Sequence, residues 1–502
     1  MLMKIFTSDT MRSIDHKTIS GGYVEGRILM ERAGVGAAEE VLKFSRFLDP
    51  KFSQRFIVVC GKGNNGGDGY VMAKYFHEKG HNTKILSVCE IDDLSGDALF
   101  HARKLPKAVR FELIKDDITF ESGDFIIDCL LGTGLNSEVR KPYSSIIESI
   151  NSSGCPVAAL DLASGLNGND GKVLGVAVKA DITLTIGFPK KGIFQNQGPE
   201  YSGRLKCIDI GFPQKVVEEF ESAGELICEH ELRNFFPRRG HDTHKYKCGN
   251  ILIIGGSKNY SGAPMLAAGA AARSGAGMVT VAFPDSVVPT GPAGLIKVPL
   301  QSSKSGTFSR KSALEVRNLF DKKDVVVVGP GMTGDEEELY LMETIFNSKK
   351  TVVADAGALL HLAKKPELLN REAVTVITPH AGELKRLLEK IGDRDTKELA
   401  LRGKCFVVVK GQYTEVISPN GETVKNSTGC SALAVAGSGD VLSGMIGAFL
   451  GWSEKRALET VSAAVAVHGL CGEVSQFGTY GNTADDLIDH IPVVMKGLSP
   501  FC

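Results

Sequence analysis

The chain has no apolar run approaching the ~18 residues needed to cross a bilayer, and Met1 to Ile19 is polar and charged, without the apolar segment of a signal peptide. It has almost no net charge: 58 lysines and arginines against 59 aspartates and glutamates leave −1. That balance argues against a nucleic-acid or anionic-membrane partner. Eleven cysteines are scattered without CxxC or Cys/His ligand spacing, which argues against a disulfide frame or a zinc site and for reduced, mostly buried thiols. The phosphate-loop pattern GxxxxGK(S/T) is absent, and so is any internal repeat. The expectation is a soluble, cytoplasmic protein that binds neither nucleic acid nor membrane.

What the chain does have is glycine, 57 residues in 502, which fits many tight strand-to-helix turns. A length prior of about 150 residues per domain gives two to four domains. Short β-branched runs alternate with helical patterns throughout, the signature of α/β architecture with mostly parallel sheets. Predicted strands in the first part are Phe56–Cys60, Lys84–Val88, Asp124–Leu130, Val157–Leu160, Ile182–Ile186 and Arg204–Ile208. In the second they are Asn250–Ile254, Met278–Ala282, Asp324–Val328, Thr351–Ala354, Val374–Ile377, Cys405–Val409 and Thr414–Ile417. The polar, acidic stretch Glu218 to Glu229 separates two unlike domains, 1–222 and 223–502.

The most telling pattern is Lys410-Gly411, then Asn426-Ser-Thr-Gly429, then Ala436-Gly-Ser-Gly-Asp440 ahead of the apolar helix Val441 to Phe449. Free N–H groups at a Gly-rich helix mouth hold phosphoryl oxygens, and Asp440 is placed to take a proton from the attacking group. By itself GSGD also fits a glycine cap followed by a capping aspartate. In the first domain, strand ends lead into Gly61-Lys-Gly-Asn-Asn-Gly-Gly-Asp-Gly69, Asp128…Leu131-Gly-Thr-Gly134 and Asp161-Leu-Ala-Ser-Gly165. Carboxyl ends of parallel strands share one crevice, which would gather Asn65, Asp68, Asp128, Asp161 and Ser164. Each Asp alone reads equally as a helix cap. Together they read as an oxygen-rich pocket suited to a hard, monovalent cation.

These motifs, with Ser13-Ile-Asp15 and Leu29-Met-Glu-Arg-Ala-Gly34, resemble the NAD(P)H-hydrate epimerase domain over about Met1 to Phe212. The resemblance implies a Rossmann-like fold that holds the hydrate with Asn64, Asn65, Gly66, Gly67 and Asp68 on one side and Gly132, Thr133, Gly134 and Leu135 on the other. It also implies potassium held by Asn65, Asp128 and Ser164, with Asp161 contacting substrate as the acid/base. Ala163 stands where the family usually has proline, which changes turn stiffness and leaves the polar groups in place.

The later succession Gly255-Gly-Ser257, Gly275-Ala-Gly277, Gly329-Pro-Gly331, Thr378-Pro-His380-Ala-Gly-Glu383, Lys410-Gly411 and Gly437-Ser-Gly-Asp440 resembles the dehydratase domain of NAD(P)H-hydrate repair proteins. That domain is similar to the ribokinase-like small-molecule kinases. The likeness spans about Leu232 to Met495 and includes the tail Asn482-Thr-Ala-Asp-Asp-Leu-Ile488. It implies that Ala268, Gly331, His380 and Asp440 line a hydrate site, and that Lys410, Gly411, Gln412, Tyr413 and Thr414, with Gly437, Ser438 and Gly439, hold a nucleotide. The implied activity is repair of NADHX and NADPHX: epimerisation of R and S hydrates, then dehydration of the S form with ADP or ATP and Mg²⁺. ADP is favoured by analogy, and a homo-oligomer is expected. Two departures, Cys430-Ser431 and Gly357 in place of a second Asp, bear on nucleotide choice and magnesium. The alternatives are a ribokinase-like small-molecule alcohol kinase and a non-catalytic nucleotide-binding scaffold.

Overall fold

The computed structural model describes residues 2–48, 55–115, 118–233, 235–236, 242–453, 456–474 and 480–499. The chain forms two compact units, Met3–Glu225 and Leu226–Cys502.

In the first unit seven strands form one sheet in the order Arg110–Leu113, Thr83–Ser87, Arg55–Cys60, Asp124–Cys129, Val157–Leu160, Ile182–Ile186, Arg204–Ile208. Every neighbouring pair is parallel. Alternate side chains of Phe56-Ile-Val-Val-Cys60 enter two different cores. Phe56, Val58 and Cys60 pack with the helices Gly26–Leu48 and Asn64–Glu78. Ile57 and Val59 pack with Tyr143–Ser152. A strand buried on both faces must be apolar throughout, which is why these runs lack alternation. The chain leaves Arg55–Cys60 toward one edge and returns to Asp124–Cys129 on its other side. A crevice therefore opens between their carboxyl ends, the Rossmann-like switch point.

The second unit repeats this logic with different strands. Ile296–Leu300, Met278–Pro284, Asn250–Ile254, Val325–Val328, Thr351–Ala354, Thr375–Ile377 and Phe406–Val409 lie side by side and parallel. Glu415–Ile417 and Thr423–Asn426 continue the sheet antiparallel. Ile251, Ile253, Val325 and Val327 face the helices Ala263–Arg273, Ser438–Trp452, Ala457–Glu473 and Ala484–Leu498. Leu252, Ile254, Val326 and Val328 face Glu338–Phe346 and Gly357–Lys364. The switch point falls between Asn250–Ile254 and Val325–Val328, and the unit has the ribokinase-like α/β layering expected from the sequence.

The predicted strands all exist, with ends shifted by a residue or two. Two that were not foreseen, Arg110–Leu113 and Ile296–Leu300, lie at sheet edges, where exposed charged residues or proline interrupt the apolar signal. A second difference concerns Gly61–Gly69. Only Gly61 to Gly63 turn, and the helix already begins at Asn64. The later glycines serve close packing: a Cβ on Gly66 would lie 2.0 Å from the Gly61 carbonyl, and one on Gly69 would lie 2.9 Å from Cys60 Sγ.

Close approach also seats the helix that carries Asp440, since a Cβ on Gly444 would lie 2.0 Å from the Ala267 carbonyl oxygen. Gly444→Ala is expected to destabilise the second unit by about 2 kcal/mol or more, the scale of an overpacked core. Gly411→Ala, whose Cβ meets nothing within 4 Å, is expected to be near neutral. Denaturant unfolding followed by the fluorescence of Trp452, the chain's single tryptophan, checks both.

Candidate active sites

In the first unit the crevice is a cavity of about 510 Å³. Its walls include Asn64, Asn65 and Asp68 from the first turns of Asn64–Glu78, Gly132, Thr133, Gly134 and Leu135 from the facing turn, and Asp161. These predicted residues do come together. Gly66 and Gly67 do not line it: Gly66 backs onto Gly61, and Gly67 backs onto Met30 and Ala98. Their absent side chains let the helix approach, so they shape the wall without forming it.

Behind the wall, Asp128 is fully buried. Its Oδ1 accepts from Ser164 Oγ at 2.6 Å and Leu130 N at 3.1 Å, and its Oδ2 accepts from Ser164 N at 2.8 Å. Burial pushes its carboxyl up to about 6, although those bonds pull the other way. Asn65 Nδ2 donates to the Leu131 carbonyl at 3.1 Å, and Leu131 N donates to Ser164 Oγ at 2.9 Å. Asn65 and Ser164 thus both bond the Leu131 backbone, and Ser164 links it to Asp128.

Asp161 follows the strand Val157–Leu160 with φ 67°, a left-handed conformation unusual for a side-chain-bearing residue. Its Oδ1 accepts from Ile186 N at 3.1 Å and from the ammonium of Lys190. Asp15 and Asp97 line the same cavity. Burial first, then the charge of Asp161, raises Asp68 well above the carboxylate range; burial, then Asp97 and Asp161, raises Asp15. Lys190 and Asp97 were not singled out in the sequence, and Asp15 entered it only as part of the Ser13-Ile-Asp15 motif.

In the second unit Gly329, Asp355, His380 and Lys410 follow four neighbouring parallel strands. His380 and Lys410 are joined by a parallel bridge, with Lys410 N donating to the Pro379 carbonyl at 3.0 Å. Lys410 Nζ donates to Asp355 Oδ1 at 2.8 Å. Gly439 lies against this pair: a Cβ there would sit 3.2 Å from Lys410 Nζ. Burial works to lower the Lys410 pKa, but Asp355, Glu383 and Asp440 raise it above its ordinary value. Asp440, in the first turn of Ser438–Trp452, is pushed up to about 7, chiefly by burial and then by Asp355 and Glu383, while Lys410 opposes. A carboxyl poised there exchanges protons near neutrality.

Gly437 begins this helix at φ 90°, where a side chain would also strike Leu266 and Ala484. Ala484 opens the helix Ala484–Leu498, capped by Thr483 and Asp486, so the Asn482–Ile488 tail motif packs against the glycine turn. Ser438 Oγ lies 3.1 Å from Nε2 of His468, whose pKa burial pulls down to about 4. Ser438 is therefore tied to a neutral histidine that the sequence did not single out. His380 caps the helix Ala381–Ile391: its Nδ1 accepts from Gly382 N and Glu383 N, and its own backbone N–H donates to Glu383 Oε2. Thr414 Oγ1 donates to the Gly411 carbonyl at 3.0 Å, closing a turn that contains Gln412 and Tyr413. Gly331 sits at φ 72° against Tyr260 and Gly256. Ala268 lies fully buried in the apolar core. At Gly357 a Cβ would lie 2.3 Å from the Met332 carbonyl oxygen. This backbone has no room for a second aspartate there.

Two α/β units, each gathering ionisable groups at the carboxyl ends of parallel strands, define a two-site enzyme acting on small molecules. A family profile described as NAD(P)H-hydrate dehydratase matches residues 251–493, and one described as YjeF-related protein N-terminus matches residues 26–192. A "Bifunctional NAD(P)H-hydrate repair enzyme Nnr" from Thermofilum pendens is 34% identical over 99% of this chain and 97% of its own length. Its namesake from Salinibacter ruber is 32% identical over 98% and 96%. A solved ADP/ATP-dependent NAD(P)H-hydrate dehydratase from Bacillus subtilis, co-crystallized with ATP/Mg²⁺, is 26% identical over 55% of this chain and 98% of that one, at a TM-score of 0.43. The chain belongs to the family of bifunctional NAD(P)H-hydrate repair enzymes.

Direct titration tests the second site. The Asp440 carboxyl is expected to titrate near 7 by carbon-detected NMR. Asp355→Asn removes a negative neighbour and moves the midpoint down, whereas Lys410→Met removes a positive one and moves it up.

Proposed function

We propose that the first unit interconverts the R and S hydrates of NADH and NADPH at C6, and that the second dehydrates the S hydrate using ADP or ATP. Membership of the repair family supports both halves and favours repair over a small-molecule alcohol kinase. The observation that carries the reading is the Asp440 carboxyl, near 7 at a helix mouth beside Lys410.

Hydroxide is a poor leaving group. In the second site Asp440 takes the C6 hydroxyl proton as that oxygen attacks the terminal phosphorus of the nucleotide. The amides of Gly437, Ser438 and Gly439 at the helix mouth, with Lys410, offset the negative charge that develops on the transferring phosphoryl group. Phosphate then departs with the electron pair of the C6–O bond, and a proton leaves C5. The products are NAD(P)H, phosphate and AMP, or ADP where ATP is used. The turn from Lys410 to Thr414 is the rest of the nucleotide's seat, and His380 and Gly331 flank the hydrate. Mg²⁺ would accompany the nucleotide and supply counter-charge to its phosphates. By family analogy ADP is the preferred donor.

In the first site Asp161 moves the proton of the C6 oxygen while the centre loses and regains its configuration. Asn65, Asp128 and Ser164 would hold potassium, whose charge offsets the burial of Asp128 and steadies the Leu131–Leu135 turn. Asn64, Asp68 and Thr133 line the space left for the nicotinamide end. Among the described residues no helix is long and apolar enough to cross a membrane.

Purified protein given racemic hydrate with ADP, and separately with ATP, is expected to restore the absorbance of reduced nicotinamide. Asp161→Asn should slow net use of the R hydrate by about 10²- to 10⁴-fold, the range for losing a general base, and leave the S hydrate consumed. Asp440→Asn should stop consumption of both. Equal residual rates in the Asp440 variant would remove the assignment, and a stable phosphorylated alcohol as product would support the kinase reading.

A further inference from the structure

Lys190 is 2% exposed, an unusual burial for lysine. An ammonium has three N–H donors, and the chain meets them with Asp161 Oδ1, Thr185 Oγ1 at 3.2 Å and the Ile186 carbonyl at 2.8 Å. With its donors so engaged, the ammonium has none left for a ligand and acts as a fixed charge. Its backbone is fixed as well: Lys191 N donates to the Phe6 carbonyl at 2.7 Å, and Phe6 N donates to the Pro189 carbonyl at 3.0 Å. The effect falls on Asp161. The bonds from Lys190 Nζ and Ile186 N both land on Oδ1, leaving Oδ2 as the oxygen outside that pair. Asp161 in turn is held in the left-handed region, which sets the direction of its side chain.

The surroundings make such a charge necessary. Asp15 from the helix Ser8–Ser20, Asp68 from Asn64–Glu78 and Asp97 from Gly96–Ala102 line the cavity with Asp161, and His16 acts on Asp15. The Asp161 charge raises Asp15 and Asp68, and Lys190 lowers both.

We propose that Lys190 is the positioning residue of the first site, binding Asp161 Oδ1 into the wall so that Oδ2 alone is presented to the C6 hydroxyl as its proton acceptor. The inference rests on the epimerase reading of that cavity. It accounts for a buried charge that no other part of the reaction uses.

The test is a double-mutant cycle on the full-length chain. Interconversion of purified R and S hydrates is followed by chromatography without nucleotide, so the second site is silent. Lys190→Met is expected to lower kcat at least about 10-fold, at the low side of a general-base loss, with KM changed little. In the Asp161→Asn background the same substitution should cost no more than about 2-fold, as expected when one residue works through the other. Equal losses in both backgrounds, or a raised KM at unchanged kcat, would overturn the proposal. Should Lys190→Met fail to fold, Lys190→Cys alkylated with 2-bromoethylamine, which restores an ammonium, replaces it. Recovery over unmodified Lys190→Cys supports the role, and no recovery in a folded, fully alkylated protein rejects it. If the wild-type chain does not interconvert the hydrates, the epimerase reading itself fails. If it does and Lys190→Met matches it, only the positioning role fails.

Discussion

A lysine ammonium held against a carboxylate at the end of a parallel strand underlies both sites. In the first unit it is Lys190 on Asp161, and in the second Lys410 on Asp355. Taking either charge out of water alone is expensive, and breaking a buried pair by removing one member typically costs about 3–5 kcal/mol. Neither pair is therefore explained as a stabilising ornament, because apolar residues of similar volume would serve a core as well. What the pairs provide is direction and charge state. Each fixes an oxygen in a place where the sheet otherwise ends in backbone.

The sheets make these placements repeatable. Parallel strands end together, so residues far apart in the chain arrive at one rim. The glycines bring the remaining backbone close enough to matter. A Cβ on Gly61 would lie 1.9 Å from the Leu130 carbonyl, and one on Gly329 would lie 1.8 Å from the Asp355 carbonyl. Each contact ties one strand-end turn to the next, which sets the spacing between the groups those turns carry. The rim is thus built from backbone contacts first, and the side chains take positions the turns have already fixed.

This explains which parts could be read in advance. Strand–glycine–helix successions are local, and they put Asp161 at a strand end facing the crevice and Asp440 at a helix mouth. The pairs are not local: Lys190 meets Asp161 across 29 residues, and Lys410 meets Asp355 across 55. No pattern along the chain marks that meeting, because the sheet order decides it. The helix that carries Ala268 is ambiguous for a related reason. A run of small residues on a helix fits contact with a ligand or with a neighbouring helix, and here Gly444 of the neighbouring helix lies against Ala267. Gly66 and Gly67 misled likewise, since a glycine needed inside a helix for packing looks in sequence like one needed in a loop.

The two sites differ in what their ionisable groups surround. Around Asp161 the acids Asp15, Asp68 and Asp97 share the cavity with the cations Arg12, Lys62 and Lys190. The second site must instead receive the phosphates of a nucleotide. Those phosphates would push Asp440 further up, beyond the point where burial, Asp355 and Glu383 have already taken it. A base that stays protonated accepts nothing. The groups able to hold it within range are cationic or dipolar, namely Lys410 and the helix amides at Gly437 to Gly439. On the proposed reading the Lys-Gly strand end and the Gly-Ser-Gly-Asp helix mouth are thus one device: the lysine that would neutralise the phosphates is also the cation that opposes the upward push on the aspartate.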